Sequence, residues 1–289
     1  MESFLNQGLM RTNYSKYILS SYKKMALEYL RLKHLITKKG FMILEDFGDK
    51  VLQLEINSKN KTSFYQKSIM AIHKIQKCKP SQSLSKLSKE TLIEQMRLFD
   101  EWFFHGLLGL EYSTKEKNTL QNTWEIIANH CFAQDYVLCH FDFEFRNLML
   151  LPDSELGILD FQDLCVGPYS LDLVSIMKDI DNPIDKEDLS EYLEFYLDSL
   201  LTEQNKTNLT IKDLERDIDF AGFQRQFRIL GTLARLHLRD KKSFRLKDLV
   251  QTLRFLCEDS IKYDELRDAA KILKNKVEPK LLKTLEAIN

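Results

Sequence analysis

One short segment of the chain holds a histidine, two aspartates and an asparagine at close spacing. Its first part has His140, one residue, Asp142, four residues and then Asn147, and its second part begins at Asp160. Phosphoryl transfer from a nucleotide needs such a set, because one carboxylate accepts the proton of the attacking hydroxyl while an amide and a second carboxylate hold Mg²⁺ against the phosphates. Hard oxygen ligands suit Mg²⁺ better than a soft metal. The residue types therefore predict a site for metal-assisted phosphoryl transfer.

Three short apolar runs, separated by polar turns, carry these residues: YVLCH, NLMLL and LGILD. Short apolar runs bounded by turn residues are typical of strands. On this interpretation His140 ends the first strand, Asn147 opens the second and Asp160 ends the third. We therefore expect the oxygen-bearing side chains to converge in one small volume at the strand ends.

The same string has an alternative interpretation without chemistry, namely a polar and aromatic edge hairpin. A lone His-x-Asp pair occurs by chance and is weak evidence. The catalytic-loop signature of kinases is H-x-D, four residues, N, and then a D-F dipeptide. Every position of it is satisfied, by His140, Asp142, Asn147, Asp160 and Phe161. The complete string favours catalysis, with His140 as a structural support that orients the loop.

The composition of the 289-residue chain bounds the class of protein. Hydrophobic residues make up 44% and charged residues 29%, and glycine and proline are scarce, which favours a globular protein with long helices. The net charge of -1 gives no electrostatic reason to expect nucleic acid or an anionic membrane as a partner. Five cysteines without a CxxC pair favour reduced thiols. The sequence has neither a signal-peptide core nor a long apolar run, so we expect a cytoplasmic protein.

Apolar spacing predicts helices over most of the rest of the chain. They are expected at 14–36, 63–78, 92–111 and 119–132, and over everything after Asp172, with breaks near 182–183, 205–208, 241–243 and 278–279. The stretch GFMILEDFGD at 40–49 instead predicts a strand that runs into a turn at Gly48. The expected architecture is a mostly helical body with a small β-hairpin that carries the chemical residues.

The combined string HxDxxxxN…DFQD…GPxxxDL resembles that of the aminoglycoside phosphotransferase and choline kinase superfamily, which is kinase-like in fold. Within it, RNLMLLPDSELGILDFQDLCVGPYSLDLVSIMKD is similar to the segment of bacterial anomeric sugar kinases of cell-wall recycling, which phosphorylate N-acetylmuramate and N-acetylglucosamine. Further stretches are similar to the same group: GFMILEDFGD, LFDEWFFHGLLGLE and GFQRQFRILGTLARLHLRDKK. The resemblance covers most of the chain, from Gly40 onward.

The resemblance implies an α+β, protein-kinase-like fold, with a mostly α-helical C-lobe and a small β-hairpin catalytic insert. Relatives have a complete nucleotide-binding β-lobe ahead of the hinge, whereas thirty-nine residues precede Gly40 here and most of them indicate one helix. We therefore expect an abbreviated N-terminal lobe and hinge over residues 1–48 and a helical C-lobe with the catalytic loop over 49–289.

The resemblance also implies roles for individual residues. Asp142 matches the catalytic base, and Asn147 and Asp160 match the metal ligands. The nucleotide-binding hinge matches a run of four residues: Leu44, Glu45, Asp46 and Phe47. Contacts to the acceptor substrate are expected from Asp163, Gln224 and Arg225, and structural support from His140 and Asp172. Glu144 departs from the family pattern and brings a further negative charge, which either weakens the approach of phosphate or adds a Mg²⁺ contact.

The expected function is ATP- and Mg²⁺-dependent phosphoryl transfer to the anomeric hydroxyl of N-acetylmuramate or N-acetylglucosamine. The partners would then be a sugar and a nucleotide. Because the N-terminal lobe is expected to be short, a non-catalytic pseudokinase or truncated relic is an alternative. A kinase for an aminoglycoside or choline is another, and a cluster of acidic residues would suit the first of these: Asp179, Asp181, Asp185, Glu187 and Asp188. That cluster is interpreted more simply as helix-start and loop charge.

Overall fold

The computed structural model describes residues 28–29, 32–36, 41–204 and 209–288, and the strands within those ranges are short. They are β1 (Glu28–Tyr29), β2 (Leu32–Ile36), β3 (Phe41–Leu44), β4 (Ser85–Lys86), β5 (Tyr136–Cys139), β6 (Leu148–Leu150), β7 (Leu156–Ile158) and β8 (Cys165–Pro168). Strands therefore form within the runs YVLCH, NLMLL and LGILD, as their sequence predicts, but His140, Asn147 and Asp160 lie just outside the strand ends.

Helices account for most of the described chain. The α-helices are α1 (Leu52–Glu55), α2 (Lys61–Gln76), α3 (Lys89–Leu98), α4 (Thr114–Ala133), α5 (Ser170–Met177), α6 (Lys186–Gln204), α7 (Ile211–Leu238), α8 (Asp248–Ser260), α9 (Arg267–Ile272) and α10 (Glu278–Ile288). Two π-helical stretches, Phe99–Leu107 and Leu273–Val277, and three 3₁₀ turns, Phe145–Asn147, Phe161–Asp163 and Asp264–Leu266, complete the described elements. Many helices with a few short strands agree with the α+β expectation.

Side-chain caps begin two of the longest helices. Ahead of α4, the Ser113 hydroxyl accepts a hydrogen bond from the Glu116 backbone N–H, and the Glu116 carboxylate accepts one from the Ser113 N–H at 2.7 Å. Thr210 and Asp213 make the same reciprocal pair ahead of α7. Each pair satisfies two backbone donors that the first turn of a helix leaves open. The starts of these helices are therefore set by local sequence.

The chain forms two compact units, each built from three separate segments. The first unit contains the described parts of Met1–Ser85, Val137–Val166 and Asp185–Asn208, and the second contains those of Lys86–Tyr136, Gly167–Ile184 and Leu209–Asn289. The expected boundary between residues 48 and 49 concerns the lobes of a kinase fold, which this grouping does not test, so it stays a prediction. The hairpin of β6 and β7, which is expected to carry the catalytic residues, lies in the first unit.

The centre of the first unit is the antiparallel hairpin of β6 and β7. Its register pairs Leu148 with Ile158 and Leu150 with Leu156, and β1 adds a parallel strand on the other side of β7. The turn of the hairpin is held to α2, because Lys67 Nζ donates a hydrogen bond to the Ser154 carbonyl. The hairpin is therefore supported along a strand edge and at its turn.

Aromatic packing joins the helices of the first unit to the loop between β5 and β6. Tyr65 of α2 is fully buried; its ring stacks on that of Tyr192 of α6 at 4.5 Å and meets the edge of Phe145 at 5.0 Å. Phe145 belongs to the 3₁₀ turn that immediately precedes β6. This contact fixes the turn against a rigid pair of helices.

The second unit is organised around the long helix α7. At Gly231 the backbone of Leu98 lies so close that an added Cβ atom would overlap the Leu98 carbonyl group. Beside this contact, the ring of Phe99 meets the ring of Phe227 edge-on at 5.1 Å. Glycine lets two backbones approach more closely than any other residue does. The crossing of α3 and α7 therefore depends on Gly231.

Two expectations from helical spacing are wrong. Residues 28–29 and 32–36 form strands where a helix over 14–36 was expected. The other residues of that range lie outside the described ones. Pairing of β2 with β3, a tertiary contact, outweighs local periodicity there. The break expected near 278–279 is absent too, since π-helix Leu273–Val277 continues directly into α10. Pro279 lies where the hydrogen-bond register of the helix changes, so its missing donor is tolerated.

The remaining expectations about elements are confirmed where the structure describes the chain. Helices cover 63–76, 92–107 and 119–132, so the helix expected over 92–111 ends four residues early. Breaks fall near 182–183 and 241–243, while 205–208 lies outside the described residues. All five cysteines are free thiols. Across the described ranges, no helix combines the length and apolar character that a membrane crossing requires.

Candidate active site

The loop between β5 and β6 presents Asp142 on a strained backbone. Phe141, directly before it, has a φ of +78°, a left-handed conformation that a bulky side chain rarely adopts. The Asp142 side chain is half-buried, and its carbonyl accepts hydrogen bonds from the Glu144 N–H at 2.9 Å and from Asn147 Nδ2 at 2.8 Å. The strain is thus stabilised by two bonds that close the loop on itself.

The bond from Asn147 also settles how its amide is oriented. A carbonyl oxygen only accepts hydrogen bonds, so the atom that faces the Asp142 carbonyl is the amide nitrogen. The Asn147 Oδ1 atom is therefore the one directed away from that carbonyl, as a ligand of a hard cation has to be. The Asn147 side chain therefore points back toward Asp142.

His140 joins the loop to the residue before Asp160. Its side chain is fully buried, and its Nε2 atom donates a hydrogen bond to the Leu159 carbonyl at 2.9 Å. Burial lowers the pKa of His140, which keeps the imidazole neutral with the proton on Nε2. The Leu159 N–H in turn donates to the Asn147 carbonyl at 2.9 Å. The buried histidine and one backbone bond thus connect the loop that carries Asp142 and Asn147 with the segment that leads to Asp160.

Asp160 follows β7 and is exposed. It adopts a left-handed conformation with φ 62° and ψ 41°, which aspartate tolerates better than most residues. A 3₁₀ turn follows, in which the buried Phe161 anchors the chain while Gln162 and Asp163 remain exposed. The Gln162 amide donates a hydrogen bond from Nε2 to Asp160 Oδ1. One carboxylate oxygen of Asp160 is thus already oriented by a neighbour.

The charges around the loop are arranged unevenly. Glu144 is held by Arg146 at 2.6 Å, so its carboxylate is neutralised locally. Within the described ranges, no cationic side chain makes an ion pair with Asp142 or Asp160. Of the two outcomes expected for Glu144, an added metal contact is the less compatible with this pairing. Among the residues that the structure describes, both carboxylates of the motif therefore differ from Glu144 in having no cationic partner.

The donor set fits Mg²⁺ in kind. In the described part of the chain, no three His, Cys, Asp or Glu side chains are placed to hold a metal by themselves. A nucleotide-linked Mg²⁺ does not need such a group, because phosphate oxygens and water supply most of its ligands. The carboxylate of Asp160 and the amide oxygen of Asn147 are hard oxygen donors of the required type.

The expected hinge begins at Leu44, the last residue of β3, and its other three residues follow the strand. The Asp46 carboxylate accepts a hydrogen bond from the Gly48 N–H at 2.9 Å, and Gly48 has a φ of +78°, which confirms the predicted turn. The ring of Phe47 lies against Gly157 of β7, where an added Cβ atom would come within 2.5 Å of it. The last of the expected hinge residues therefore packs on the strand that leads to Asp160.

The other predicted site residues lie in different surroundings. Asp163 is exposed on the 3₁₀ turn next to Asp160. In the second unit, Gln224 and Arg225 are buried in α7, and Gln224 donates a hydrogen bond to the Gln95 side chain at 2.8 Å. Asp172 is fully buried in the first turn of α5, a favourable place for a carboxylate. The expected substrate and structural roles of these residues stay predictions.

The comparisons with known proteins agree on one family. The model of the phosphotransferase enzyme family matches residues 29–206. An N-acetylmuramate/N-acetylglucosamine kinase from Neisseria meningitidis is 30% identical over 81% of this chain and 71% of its own length. A protein with the same name from Pseudomonas putida is 27% identical over 82% of this chain and 69% of its own length.

Solved structures confirm the fold. An ADP-bound aminoglycoside phosphotransferase matches with a TM-score of 0.58 at 16% identity, covering 90% of this chain and 85% of its own. A choline kinase from Streptococcus pneumoniae matches with a TM-score of 0.60 at 14% identity, covering 86% of this chain and 80% of its own. The expected kinase-like α+β fold is thereby confirmed. Since the family model covers more than half of the chain, the protein belongs to the phosphotransferase enzyme family.

Proposed function

We propose that this protein transfers the γ-phosphoryl group of ATP, with Mg²⁺, to the anomeric hydroxyl of N-acetylmuramate or N-acetylglucosamine. The acceptor is inferred from the names of the two relatives, which are amino-sugar kinases. The observation that carries the proposal is the closed loop that joins His140, Asp142 and Asn147 to the strand leading to Asp160. Four predicted residues thereby act as one structural unit.

In this proposal Asp142 orients the acceptor hydroxyl and accepts its proton as phosphoryl transfer proceeds. The backbone of Asp142 is positioned by the hydrogen bonds to its own carbonyl. Among the described residues, its carboxylate makes no salt bridge. Holding reactants in place is the larger part of catalysis in phosphoryl transfer, because the transferred group needs little covalent help. A rigid loop with a free carboxylate edge suits this task.

The metal and nucleotide would be held by three parts of the first unit. Asn147 Oδ1 and Asp160 would hold Mg²⁺, which supplies neutralisation of the phosphate charge when bound. The backbone of Leu44–Phe47 would receive the adenine ring. The packing of Phe47 on Gly157 supports a fixed position of the expected hinge relative to β7, the strand that leads to Asp160. His140, neutral and buried, keeps its support of the loop without adding a positive charge beside the metal.

The acidic cluster that would suit an aminoglycoside is occupied by structural bonds. Asp185 accepts a hydrogen bond from the Asp188 N–H at 2.9 Å, at the start of α6, and Asp188 itself pairs with Lys61. Asp179 accepts a hydrogen bond from the Asn182 N–H at 2.8 Å within a turn. The ion pair with Lys61 neutralises one carboxylate of the cluster, and the backbone bonds give Asp179 and Asp185 structural roles in a turn and at a helix start. The neutralised carboxylate favours a neutral or acidic amino sugar over an aminoglycoside.

The test is phosphate transfer from Mg²⁺-ATP to N-acetylmuramate and to N-acetylglucosamine, with choline and an aminoglycoside as parallel acceptors. Asp142→Asn should lower transfer by roughly 100- to 10,000-fold, the usual contribution of a general base. Asp153→Asn is the matched control, because Asp153 is an exposed aspartate whose Oδ1 accepts a bond from the Glu155 N–H and an asparagine can do the same. Its transfer rate should equal that of the unchanged protein.

The outcomes separate the alternatives. Transfer to an amino sugar that Asp142→Asn abolishes would establish the proposed reaction. Transfer to choline or an aminoglycoside alone would replace the acceptor and keep the phosphotransferase chemistry. A folded protein that transfers phosphate to none of the four acceptors would favour the non-catalytic alternative.

A further inference from the structure

The contact between Gln162 and Asp160 is not explained by the fold of the surrounding turn. The turn is already anchored by the buried Phe161 and by the left-handed conformation of Asp160. Gln162 is exposed, so its amide has water as an alternative partner, yet its Nε2 atom donates to Asp160 Oδ1. An exposed glutamine gains little stability from such a bond. Its effect falls instead on which way the carboxylate faces.

A single hydrogen bond of this kind makes the two oxygens of a carboxylate different, because one accepts the bond and the other does not. The Oδ1 atom of Asp160 is engaged by Gln162, which leaves Oδ2 as the oxygen for another ligand. Groups that hydrogen-bond to a metal ligand fix its orientation, and their loss commonly lowers metal affinity by about 10- to 100-fold. Asp142 and Asn147 have comparable restraints through the backbone, whereas Asp160 has this side-chain bond.

We propose that Gln162 is a positioning residue that holds Asp160 Oδ1 so that Oδ2 is presented to the divalent cation. The inference rests on the proposed function, because Asp160 is taken as the metal ligand. Gln162 does not touch the metal or the substrate in this role. It acts on the affinity for the metal–nucleotide pair and not on the affinity for nucleotide alone.

The experiment compares Gln162→Met with the unchanged protein. Methionine has nearly the length of glutamine but no N–H donor, so the variant removes the bond and keeps the bulk. The binding of ADP is measured by calorimetry at fixed excess Mg²⁺ and again in EDTA. The expected result is a loss of about tenfold in ADP affinity with Mg²⁺, at the low end of the usual range for such partners, and no change in EDTA.

The matched control is Gln82→Met, since Gln82 is an exposed glutamine of the first unit in the loop before β4. This control should bind ADP as the unchanged protein does under both conditions. In the transfer assay, Gln162→Met should raise the Mg²⁺ concentration needed for half-maximal rate and leave the KM for the sugar unchanged. A purely structural role would change both constants or neither.

Two results would overturn the inference. One is equal ADP affinity of Gln162→Met and the unchanged protein in Mg²⁺. The other is an equal loss of affinity with and without metal, which would place Gln162 against the nucleotide or in the stability of the turn. Failure of the sugar-kinase assignment has a different signature, namely no phosphate transfer to sugar by the unchanged protein, and it leaves the calorimetric comparison intact.

Discussion

Two groups of carboxylates in this protein differ in whether they have cationic partners. In the second unit, Asp219 and Asp259 are held between Lys178 and Lys262, with Lys178 3.2 Å and Lys262 3.1 Å from Asp219. Tyr263 adds a hydrogen bond to Asp219 at 2.9 Å. In the first unit, Asp142 and Asp160 have no cationic partner among the described residues.

The group of Asp219, Asp259, Lys178 and Lys262, in which Asp219 and Lys178 are buried, behaves as a closed electrostatic unit. Burial acts to raise the pKa of Asp259, but Lys178 and Lys262 outweigh it and leave that pKa below its usual value. Buried charges of this kind are tolerated only when each has a partner. The carboxylates of the catalytic hairpin are instead held by bonds to their backbone or to an amide, which position them without neutralising them. Negative charge left unpaired at a well-ordered place is available to a cation.

The largest effect that separates the two groups is expected from Asp160→Asn. The variant keeps a left-handed residue and an acceptor for Gln162, but it removes the charge that would hold Mg²⁺. Phosphate transfer should fall on the order of 100-fold or more, since charge stabilisation by a metal is worth several kcal/mol. The midpoint of urea unfolding should not move. A variant that loses activity because it unfolds would contradict the distinction drawn between the two groups.

Asp219→Asn, in contrast, should lower the stability of the protein. It removes one anion of the buried cluster and leaves Lys178 and Lys262 to Asp259 alone. We expect unfolding to become easier by about 2–3 kcal/mol, somewhat below the roughly 3–5 kcal/mol usual for a broken buried pair, because one anion remains. Urea unfolding measures this loss. Asp240→Asn, at the exposed pair with Arg239, is the control and should not change the free energy of unfolding measurably.

Acid should weaken the first unit through His140. Its pKa in the folded protein lies below the value in the unfolded chain, because burial disfavours the charged form. The unfolded chain therefore binds more protons as the pH falls below about 6.5, and stability is complete above that pH and is lost as the pH falls further. His73 is shifted in the same direction by burial. Unfolding midpoints at pH 7.5 and 5.5 should differ more for the unchanged protein than for His140→Asn; equal differences would show that the loop does not depend on a neutral imidazole.

The smallest effect is expected at the tip of the catalytic hairpin. Ser154 has a φ of +66°, which glycine adopts without strain. Ser154→Gly should stabilise the protein by about 0.5–1 kcal/mol, part of the usual cost of a left-handed residue, and should keep the bond from Lys67 to the backbone carbonyl. Ser83→Gly, at an exposed serine without a positive φ, is the control and should stabilise nothing. Thermal unfolding followed by circular dichroism would show the difference.

Local features of this protein were predictable from its sequence. The short apolar runs bounded by turn residues indicated strands β5, β6 and β7. Turn chemistry indicated the conformation of Gly48. The reduced thiols followed from the absence of paired cysteines.

Features that depend on distant parts of the chain were not predictable. Strand β2 exists because β3 pairs with it, and its own residues fit a helix equally well. Gly157 lacks a side chain because Phe47, far away in sequence, packs on it. The pattern DFQD shows that Gln162 is close to Asp160, but the direction of its amide is a rotamer choice that spacing does not encode.

The crossing at Gly231 has a consequence for how freely this protein can change. Any L-amino acid with a side chain would overlap the carbonyl group of Leu98, and that carbonyl lies where α3 continues directly into the π-helical stretch Phe99–Leu107, so it has little room to withdraw. Gly222 on the same helix is different, because the nearest atom to an added Cβ there is a methyl of Val174 at 3.3 Å, which can rotate or shift. Along α7, substitution is therefore tolerated at Gly222 and excluded at Gly231. A single codon of the helix thus restricts which mutations the second unit can accept.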